Sequence, residues 1–187
     1  MQDKSTHVGV PTLRSVDHVA FTVPDLETAV QFFTTHFGGT CVFYDGPFAD
    51  DGDGMTQRLN VDSKASCRLA MVRLGTVNLE LFQYDAPEQS DEPPRNSDIG
   101  GHHLAFYVDD IDAAHRYVST IPGVRVMEGP NGVADSSPVA GQRWFYFLTP
   151  WGLQMELTSC PGGRFYAGLP GGAMAPPAAE PLVEAQQ

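Results

Sequence analysis

Two ten-residue stretches decide the fold, Asp17–Leu26 (DHVAFTVPDL) and His102–Ile111 (HHLAFYVDDI). His18 of the first stretch corresponds to His103 of the second, so the pattern recurs after 85 residues, and His, Ala, Phe, Val and Asp stand at the same places in both. Each copy reads as an alternating strand, then an Asp that caps a helix, then a helical run. The chain therefore contains an internal repeat, and the repeat sets its architecture.

The residues that follow each stretch predict the same order of elements in both copies. Helices are expected at 26–37, ending at Gly38-Gly39, and at 111–121, ending at Pro122-Gly123. Turn residues separate three strand-like segments after each helix, which are 40–44, 66–74 and 77–84 in the first copy and 125–128, 143–149 and 153–159 in the second. The sequence thus predicts an α+β protein of two tandem βαβββ modules.

The chain divides into five predicted segments by composition and pattern. They are an N-terminal arm (1–15), a first βαβββ module (16–84), a linker rich in Pro, Asp, Glu and Ser (85–100), a second βαβββ module (101–160) and a flexible C-terminal tail (161–187). The strands of the two modules are expected to form a curved, cup-like mixed sheet.

Residues 48–63 form a predicted long loop over one end of the first module. Long loops on a compact module are either disordered or functional, for example as lids over a site. Phe48, Met55 and Leu59 are apolar residues within this loop. These apolar residues favour a lid over a disordered loop.

The composition and charge of the chain indicate whether it binds nucleic acid, spans a membrane or contains disulfides. The 187 residues include 11 Lys and Arg against 23 Asp and Glu, a formal net charge of −12, which argues against binding to nucleic acid. No apolar run approaches the roughly 18 to 20 residues of a membrane span, and the N-terminus lacks a signal-peptide pattern, so a cytoplasmic protein without membrane segments is expected. Cys41, Cys67 and Cys160 form no C-x-x-C pair and are expected to be free thiols.

The strand faces predict a metal site. His18 and His103 lie opposite the apolar rows of the two opening strands, and Glu80 and Glu156 lie opposite the apolar rows of the two closing strands. A Glu on a half-buried sheet face needs a cation or a donor, and neither strand offers Lys or Arg there. Two imidazoles and two carboxylates suit one divalent ion, namely Ni, Co, Mn, Zn or Fe.

Other residues are weaker candidates for the site. Arg143, Trp144 and Tyr146 are either polar and stacking groups of a pocket or ordinary strand residues. His102 adjoins His103 but points to the opposite face, which favours a structural role.

The paired units Val16–Ala20 (VDHVA) and Gly101–Ala105 (GHHLA) resemble those of the vicinal oxygen chelate superfamily, over roughly residues 16–160. The metal-ligand positions of that family are matched by His18, Glu80, His103 and Glu156. The His-Glu-His-Glu set is similar to that of glyoxalase I, whereas the related methylmalonyl-CoA epimerases usually have Gln where Glu80 stands. The stretch that begins at His102 is very like its equivalent in those epimerases.

Three positions depart from the patterns of these relatives. Thr22 stands where bacterial glyoxalase I has an Arg that contacts glutathione, and Tyr84 stands where it has an Asn. These two residues speak against glutathione as a cosubstrate. Lys64 lies near the place of a second catalytic carboxylate in the epimerases, which speaks against methylmalonyl-CoA.

The resemblance implies a metal-dependent lyase or isomerase that moves a proton next to a carbonyl of a small oxygen-chelating substrate. A divalent ion stabilises the charge that forms when the α-proton leaves. Glu156 is the expected base, with Glu80 as its counterpart on the other side of the carbon. The resemblance also implies a homodimer, and the two modules can pair within one chain or across that dimer.

Two alternatives from the same superfamily stay open. An Fe(II) extradiol-type dioxygenase needs only two His and one carboxylate, for which His18, His103 and Glu156 suffice, although Glu80 then fills a position that O₂ chemistry needs free. A metal-free drug-binding protein, like the bleomycin-resistance members, fits the acidic charge, although such proteins generally lack the metal ligands.

Overall fold

A computed structural model of the protein describes residues 10–160 of the chain. The elements of this range follow one another in the order β1 (Val19–Thr22), α1 (Leu26–Phe37), β2 (Thr40–Phe48), α2 (Gly54–Leu59), β3 (Ser66–Leu74), β4 (Val77–Asp85), β5 (Leu104–Tyr107), α3 (Ile111–Val118), β6 (Arg125–Val126), β7 (Asn131–Gly132), β8 (Arg143–Leu148) and β9 (Gln154–Ser159). The predicted flexible tail and most of the predicted arm lie outside the described residues.

The described residues fall into two compact units, which meet between Pro87 and Glu88 in the sequence. The first unit holds a four-stranded sheet in the order β1-β4-β3-β2. The second holds a five-stranded sheet in the order β5-β9-β8-β6, with β7 paired to β8. In each sheet the opening strand runs parallel to the closing strand and the other pairs are antiparallel. The α+β class with two βαβββ repeats and mixed sheets is confirmed.

Helix α1 has the predicted bounds because both ends carry strong local signals. The Asp25 carboxylate accepts a hydrogen bond of 2.8 Å from the Thr28 N–H, which satisfies one of the free donors of the first turn. Gly38 ends the helix with a φ of 67°, a conformation that glycine adopts without a steric penalty. The face toward the sheet is apolar and buried, and consists of Leu26, Ala29, Val30, Phe32 and Phe33.

Helix α3 ends at Val118, three residues before the predicted end. The next residues form tighter turns, in which the Thr120 N–H bonds to the Tyr117 carbonyl and the Ile121 N–H to the Val118 carbonyl. Pro122 disfavours helical geometry at the residue before it, so the helix closes in this form. Its start is as predicted, because the Asp110 carboxylate accepts two backbone N–H groups at 3.0 and 2.9 Å.

Burial along the closing strands follows the predicted alternation. Leu79 and Leu81 of β4 and Met155 and Leu157 of β9 are buried, at about 1.5–3 kcal/mol for each such side chain. Glu80 and Glu156 lie on the opposite faces and are partly exposed. The apolar faces pack under the helices, since α1 contacts β3 and β4, and α3 contacts β8 and β9.

Strand β2 differs most from the prediction, because it continues four residues past the expected end, to Phe48. The Asp45-Gly46-Pro47 sequence has the residue types of a turn, which favours an end of the strand at Tyr44. The pairing of β2 with β3 instead shifts register between Asp45 and Phe48, and Gly46 has a φ of 102°. Such a bulge lets a strand absorb residues that would otherwise end it.

Two elements were not predicted and one is two residues shorter than predicted, whereas β4, β8 and β9 differ from their predicted bounds by one residue at one end. Helix α2 lies inside the predicted loop 48–63, and the two-residue strand β7 lies in the turn region after Gly129-Pro130. Strand β6 ends at Val126, two residues early, and only the Met127 N–H continues its pairing, to the Tyr146 carbonyl. Pro130 has no N–H, so the ladder cannot extend through this turn.

Two further observations concern residues 10–160. Cys41, Cys67 and Cys160 are free thiols. None of the helices in this part of the chain has the length and apolar character to span a membrane.

Candidate functional site

The first unit brings His18 and Glu80 together. His18 comes directly before β1, and Glu80 lies in the middle of β4, opposite Ala20 in the parallel ladder. His18 Nε2 and Glu80 Oε2 are 3.1 Å apart. The pairing follows from the alternation of the two strands, because residues 18, 20 and 80 share one face of the sheet.

The second unit repeats this arrangement with His103 and Glu156. His103 precedes β5, and Glu156 lies in β9 opposite Ala105. His103 Nε2 and Glu156 Oε2 are 3.0 Å apart. The internal repeat therefore extends from the sequence to the side-chain geometry, with one imidazole and one carboxylate in each unit.

The other nitrogen of each imidazole also faces an oxygen. His18 Nδ1 is 2.9 Å from Asp17 Oδ2, and His103 Nδ1 is 3.1 Å from Asn96 Oδ1. A neutral imidazole has one N–H, so it cannot donate to two oxygen acceptors. The Nε2–Oε2 contact of each pair therefore needs either a proton, on the imidazole or on the carboxyl group, or a metal ion.

This donor set fits a divalent metal. Histidines that bind metals donate the second N–H to an oxygen, which fixes the tautomer and turns the lone pair of the free nitrogen toward the ion. Asp17 and Asn96 stand in the places of such partners. Each unit supplies a two-donor pair, and within residues 10–160 no group of three or more His, Cys, Asp or Glu side chains is positioned to hold an ion.

The two carboxylates have different surroundings. The Glu156 side chain is 13% exposed and that of Glu80 is 18% exposed. Loss of solvent raises the pKa of Glu156, against the opposing effects of His103 and Tyr146. In the first unit, the hydrogen bond to Asp17 raises the pKa of the His18 imidazole.

Aromatic residues of β8 surround the second pair. The Tyr146 ring stands edge-on to the His103 ring, with 5.1 Å between centroids, and the Trp144 ring lies 5.1 Å from Tyr146. Of the weaker candidates, Tyr146 thus contacts His103 of the pair, and Trp144 contacts Tyr146. Arg143 points to the opposite face, where its guanidinium binds Asp112 of α3 at 2.7 and 2.9 Å, so Arg143 is a structural residue.

The first pair adjoins an apolar cluster that includes part of the predicted lid. Met55 of α2 is buried with Ala65 and Cys67. Phe82 and Tyr84, which share the sheet face of Glu80, pack against this cluster, and their rings stack at 5.4 Å. Of the three residues that favoured a lid, Met55 packs on the sheet, while Phe48 and Leu59 are exposed.

Sequence reasoning missed the partners of the two imidazoles. Asp17 directly precedes His18, so its position was a usable signal. Asn96 lies in the predicted linker, seven residues before His103, and nothing in its local pattern distinguishes it. The place that corresponds to Asp17 is taken by His102, whose Nδ1 is 2.9 Å from the Gly100 carbonyl oxygen.

Comparison with known proteins places these features in a family. Residues 17–140 match the family model of the Glyoxalase/Bleomycin resistance protein/Dioxygenase superfamily. A curated protein from Actinomyces sp, named 2-epi-5-epi-valiolone epimerase, is 52% identical over 158 residues, which is 83% of this chain and 84% of that protein.

Solved structures share the fold at low sequence identity. A glyoxalase family protein from Bacillus cereus is 17% identical with a TM-score of 0.63, and the match covers 82% of this chain and all of that one. The fosfomycin resistance protein FosX from Listeria monocytogenes, in complex with Mn(II) and sulfate, is 14% identical with a TM-score of 0.51, over 79% of this chain and 93% of that one. From its repeat, its sheets and these matches, the chain belongs to the glyoxalase/bleomycin resistance protein/dioxygenase superfamily, the vicinal oxygen chelate group that its sequence resembles.

Proposed function

We propose that this protein is a metal-dependent epimerase that inverts a carbon next to a carbonyl group, with 2-epi-5-epi-valiolone as the first substrate to test. One observation supports this most directly: the duplicated His–Glu pair, which places one basic carboxylate beside one imidazole in each unit. The 52% identity to an epimerase supports an enzyme of the isomerase type.

His18, Glu80, His103 and Glu156 are proposed to hold one divalent ion, namely Ni, Co, Mn, Zn or Fe. When bound, such an ion acts as a Lewis acid toward the oxygens of the substrate and lowers the energy of the charge that develops next to the carbonyl. The close approach of Nε2 and Oε2 in each pair, at 3.1 and 3.0 Å, supports this assignment. FosX, which has this fold, holds Mn(II) in its structure. The two pairs come from one chain or from the two chains of a homodimer.

Inversion of a carbon requires two proton transfers on opposite faces. Glu156 is proposed to take the proton from one face as its carboxylate, and Glu80 to return a proton to the other face from its carboxylic acid; a carboxyl group that carries the proton would not be a ligand of the ion at that stage. The substrate loses one proton and gains one, which leaves Glu156 protonated and Glu80 ionised, so both groups exchange protons with solvent before the next turnover in the same direction. Two carboxylates on either side of one carbon therefore account for epimerisation without a further acid or base.

The apolar cluster of the first unit is proposed to shield its carboxylate from water. The sheet face that carries Glu80 continues through Phe82 and Tyr84, and these two side chains pack against the cluster that contains Met55 of α2. A site with less water strengthens the electrostatic interactions within it and protects a reactive intermediate from side reactions. Helix α2 thus contributes a wall of the site rather than a reacting group.

The test is epimerisation of 2-epi-5-epi-valiolone by protein stripped with a chelator and reloaded with each metal in turn. Glu156→Gln is expected to lose turnover and keep part of its metal affinity, since an amide oxygen is still a ligand. His18→Ala and His103→Ala are expected to lose the metal. Glu92→Gln, which changes an exposed carboxylate of the same charge, is the control.

Full turnover by the Glu156→Gln protein would remove Glu156 from the role of base and leave the metal proposal standing. The same preparations separate the two alternatives. Oxygen uptake with a catechol, supported by Fe(II) alone, would indicate the dioxygenase. Metal content far below one ion per site after reconstitution, with tight binding of a cationic drug, would indicate the binding protein.

A further inference from the structure

The two units place different residues beside their glutamates. In the β8–β9 pair Tyr146 lies directly opposite Glu156, and in the β3–β4 pair Met71 lies directly opposite Glu80. Opposed residues of an antiparallel pair point to the same face, with Cβ atoms about 4.5–5.5 Å apart. A phenol therefore neighbours Glu156 at the position where a thioether neighbours Glu80.

Contacts on several sides fix the orientation of Tyr146. Its ring stands edge-on to His103, with an angle of 73° between the ring planes, and the Trp144 ring is tilted against it at 57°. Cross-strand opposition puts its hydroxyl on the same sheet face as the Glu156 carboxylate, to which a phenol can donate a hydrogen bond. Met71 has no hydrogen-bond donor in its side chain, so Glu80 receives no such bond from the equivalent position.

We infer that Tyr146 is a positioning residue that holds the Glu156 carboxylate for proton transfer and thereby makes the two glutamates unequal. The inference rests on the proposed epimerase function. Glu156 takes or returns the proton of the substrate carbon, and Tyr146 keeps its own proton throughout while its O–H bond to the carboxylate limits rotation of that group. Glu80 works without this support, so loss of the hydroxyl affects the proton transfer on one face of the carbon.

This asymmetry is tested by exchange of the α-hydrogen with D₂O, which NMR monitors separately for each epimer. One epimer presents its hydrogen to Glu156 and the other to Glu80. Tyr146→Phe keeps the ring and removes the donor, so we expect exchange from one epimer to slow about tenfold, the effect of one lost hydrogen bond, while exchange from the other changes less than twofold. The KM is expected to stay within about twofold, since a hydrogen bond to the base is not a contact with substrate.

Metal binding gives a readout that does not depend on activity. Tyr146→Phe retains the ring against His103, so its metal affinity is expected within about threefold of the wild type. Tyr146→Leu loses the ring as well and is expected to bind metal about tenfold more weakly, the lower end of the range for a group that orients a ligand. Met71→Leu, which changes the equivalent place in the first unit, and Tyr117→Phe, on the exposed side of α3, are the controls.

The outcomes separate this inference from the proposed function. Three results would overturn the role of Tyr146 and leave an active epimerase. In Tyr146→Phe, hydrogen exchange could slow by the same factor for both epimers, or it could slow for neither. The third result is a metal affinity of Tyr146→Phe as low as that of Tyr146→Leu. A wild-type protein that exchanges neither epimer after metal loading would overturn the proposed function, and this inference with it. Thermal melts of each variant show whether it is folded before its kinetics are compared.

Discussion

Removal of the Asn96 side chain tests whether His103 is prepared as a metal ligand. Asn96 Oδ1 faces His103 Nδ1 at 3.1 Å, so an N–H at Nδ1 would donate to Asn96 and leave Nε2 free to bind an ion. Outer partners of metal ligands typically contribute 10–100-fold in metal affinity. Because Asn96 is exposed, water can replace part of its effect in Asn96→Ala. We therefore expect a loss near the lower limit, about tenfold or about 1.4 kcal/mol.

The assay is competition for Co²⁺ or Ni²⁺ with a chromophoric chelator at fixed pH and ionic strength. Ser90→Ala is the matched control, because Ser90 lies in the same segment and its hydroxyl bonds within that segment, to the Glu92 carbonyl. We expect the control to bind metal within twofold of the wild type. Equal affinity of Asn96→Ala and the wild type would refute the argument that the second ring nitrogen orients His103. A loss of the same size in Ser90→Ala would show that the segment, and not the side-chain contact, is responsible.

Three further predictions concern stability and reactivity. Met55→Ala empties the centre of the small apolar cluster, so thermal unfolding by circular dichroism is expected to show a loss of about 2 kcal/mol and a Tm lower by about 4–8 °C; an unchanged Tm would contradict the packing of α2. Arg143 lowers the pKa of Asp112 below its ordinary 3.8, so the ion pair stabilises the fold above that pH and its contribution is lost as the pH falls through the lowered pKa. The stability difference between wild type and Asp112→Asn is therefore expected to shrink toward zero in acid denaturation series below pH 3.8, and a difference that grows there would contradict this sign. Burial raises the pKa of the Cys67 thiol, so a disulfide reagent is expected to modify Cys41 fast in the native protein and the other thiols only after denaturation; fast modification of two or more native thiols would be inconsistent with the core.

Local signals explain why parts of the fold were predictable from the sequence. Helix α1 has its predicted bounds because Asp25 and Gly38 act within one turn of its ends. Strand β3 has its predicted bounds because Gly75 ends it. The placement of each His and each Glu on the face opposite the apolar rows also followed from the sequence, since period-two alternation assigns faces.

The rest depends on contacts between distant residues. Helix α2 has six residues, too few for a helix to form without tertiary contacts, and Met55 holds it on the sheet. The opposition of Tyr146 and Glu156 depends on the register of two strands, which a one-residue shift would destroy. Asn96 reaches His103 from a segment without regular structure, so no periodic pattern marks it.

The proposed function requires that both His–Glu pairs hold one and the same ion, and the number of ions bound per chain tests this most directly. Calorimetric titration of the metal-free wild type with Co²⁺ or Ni²⁺ is predicted to give one tight site per chain, and the same titration of His18→Ala or of His103→Ala is predicted to give none. Two independent sites per chain, or a tight site that survives either substitution, would contradict it.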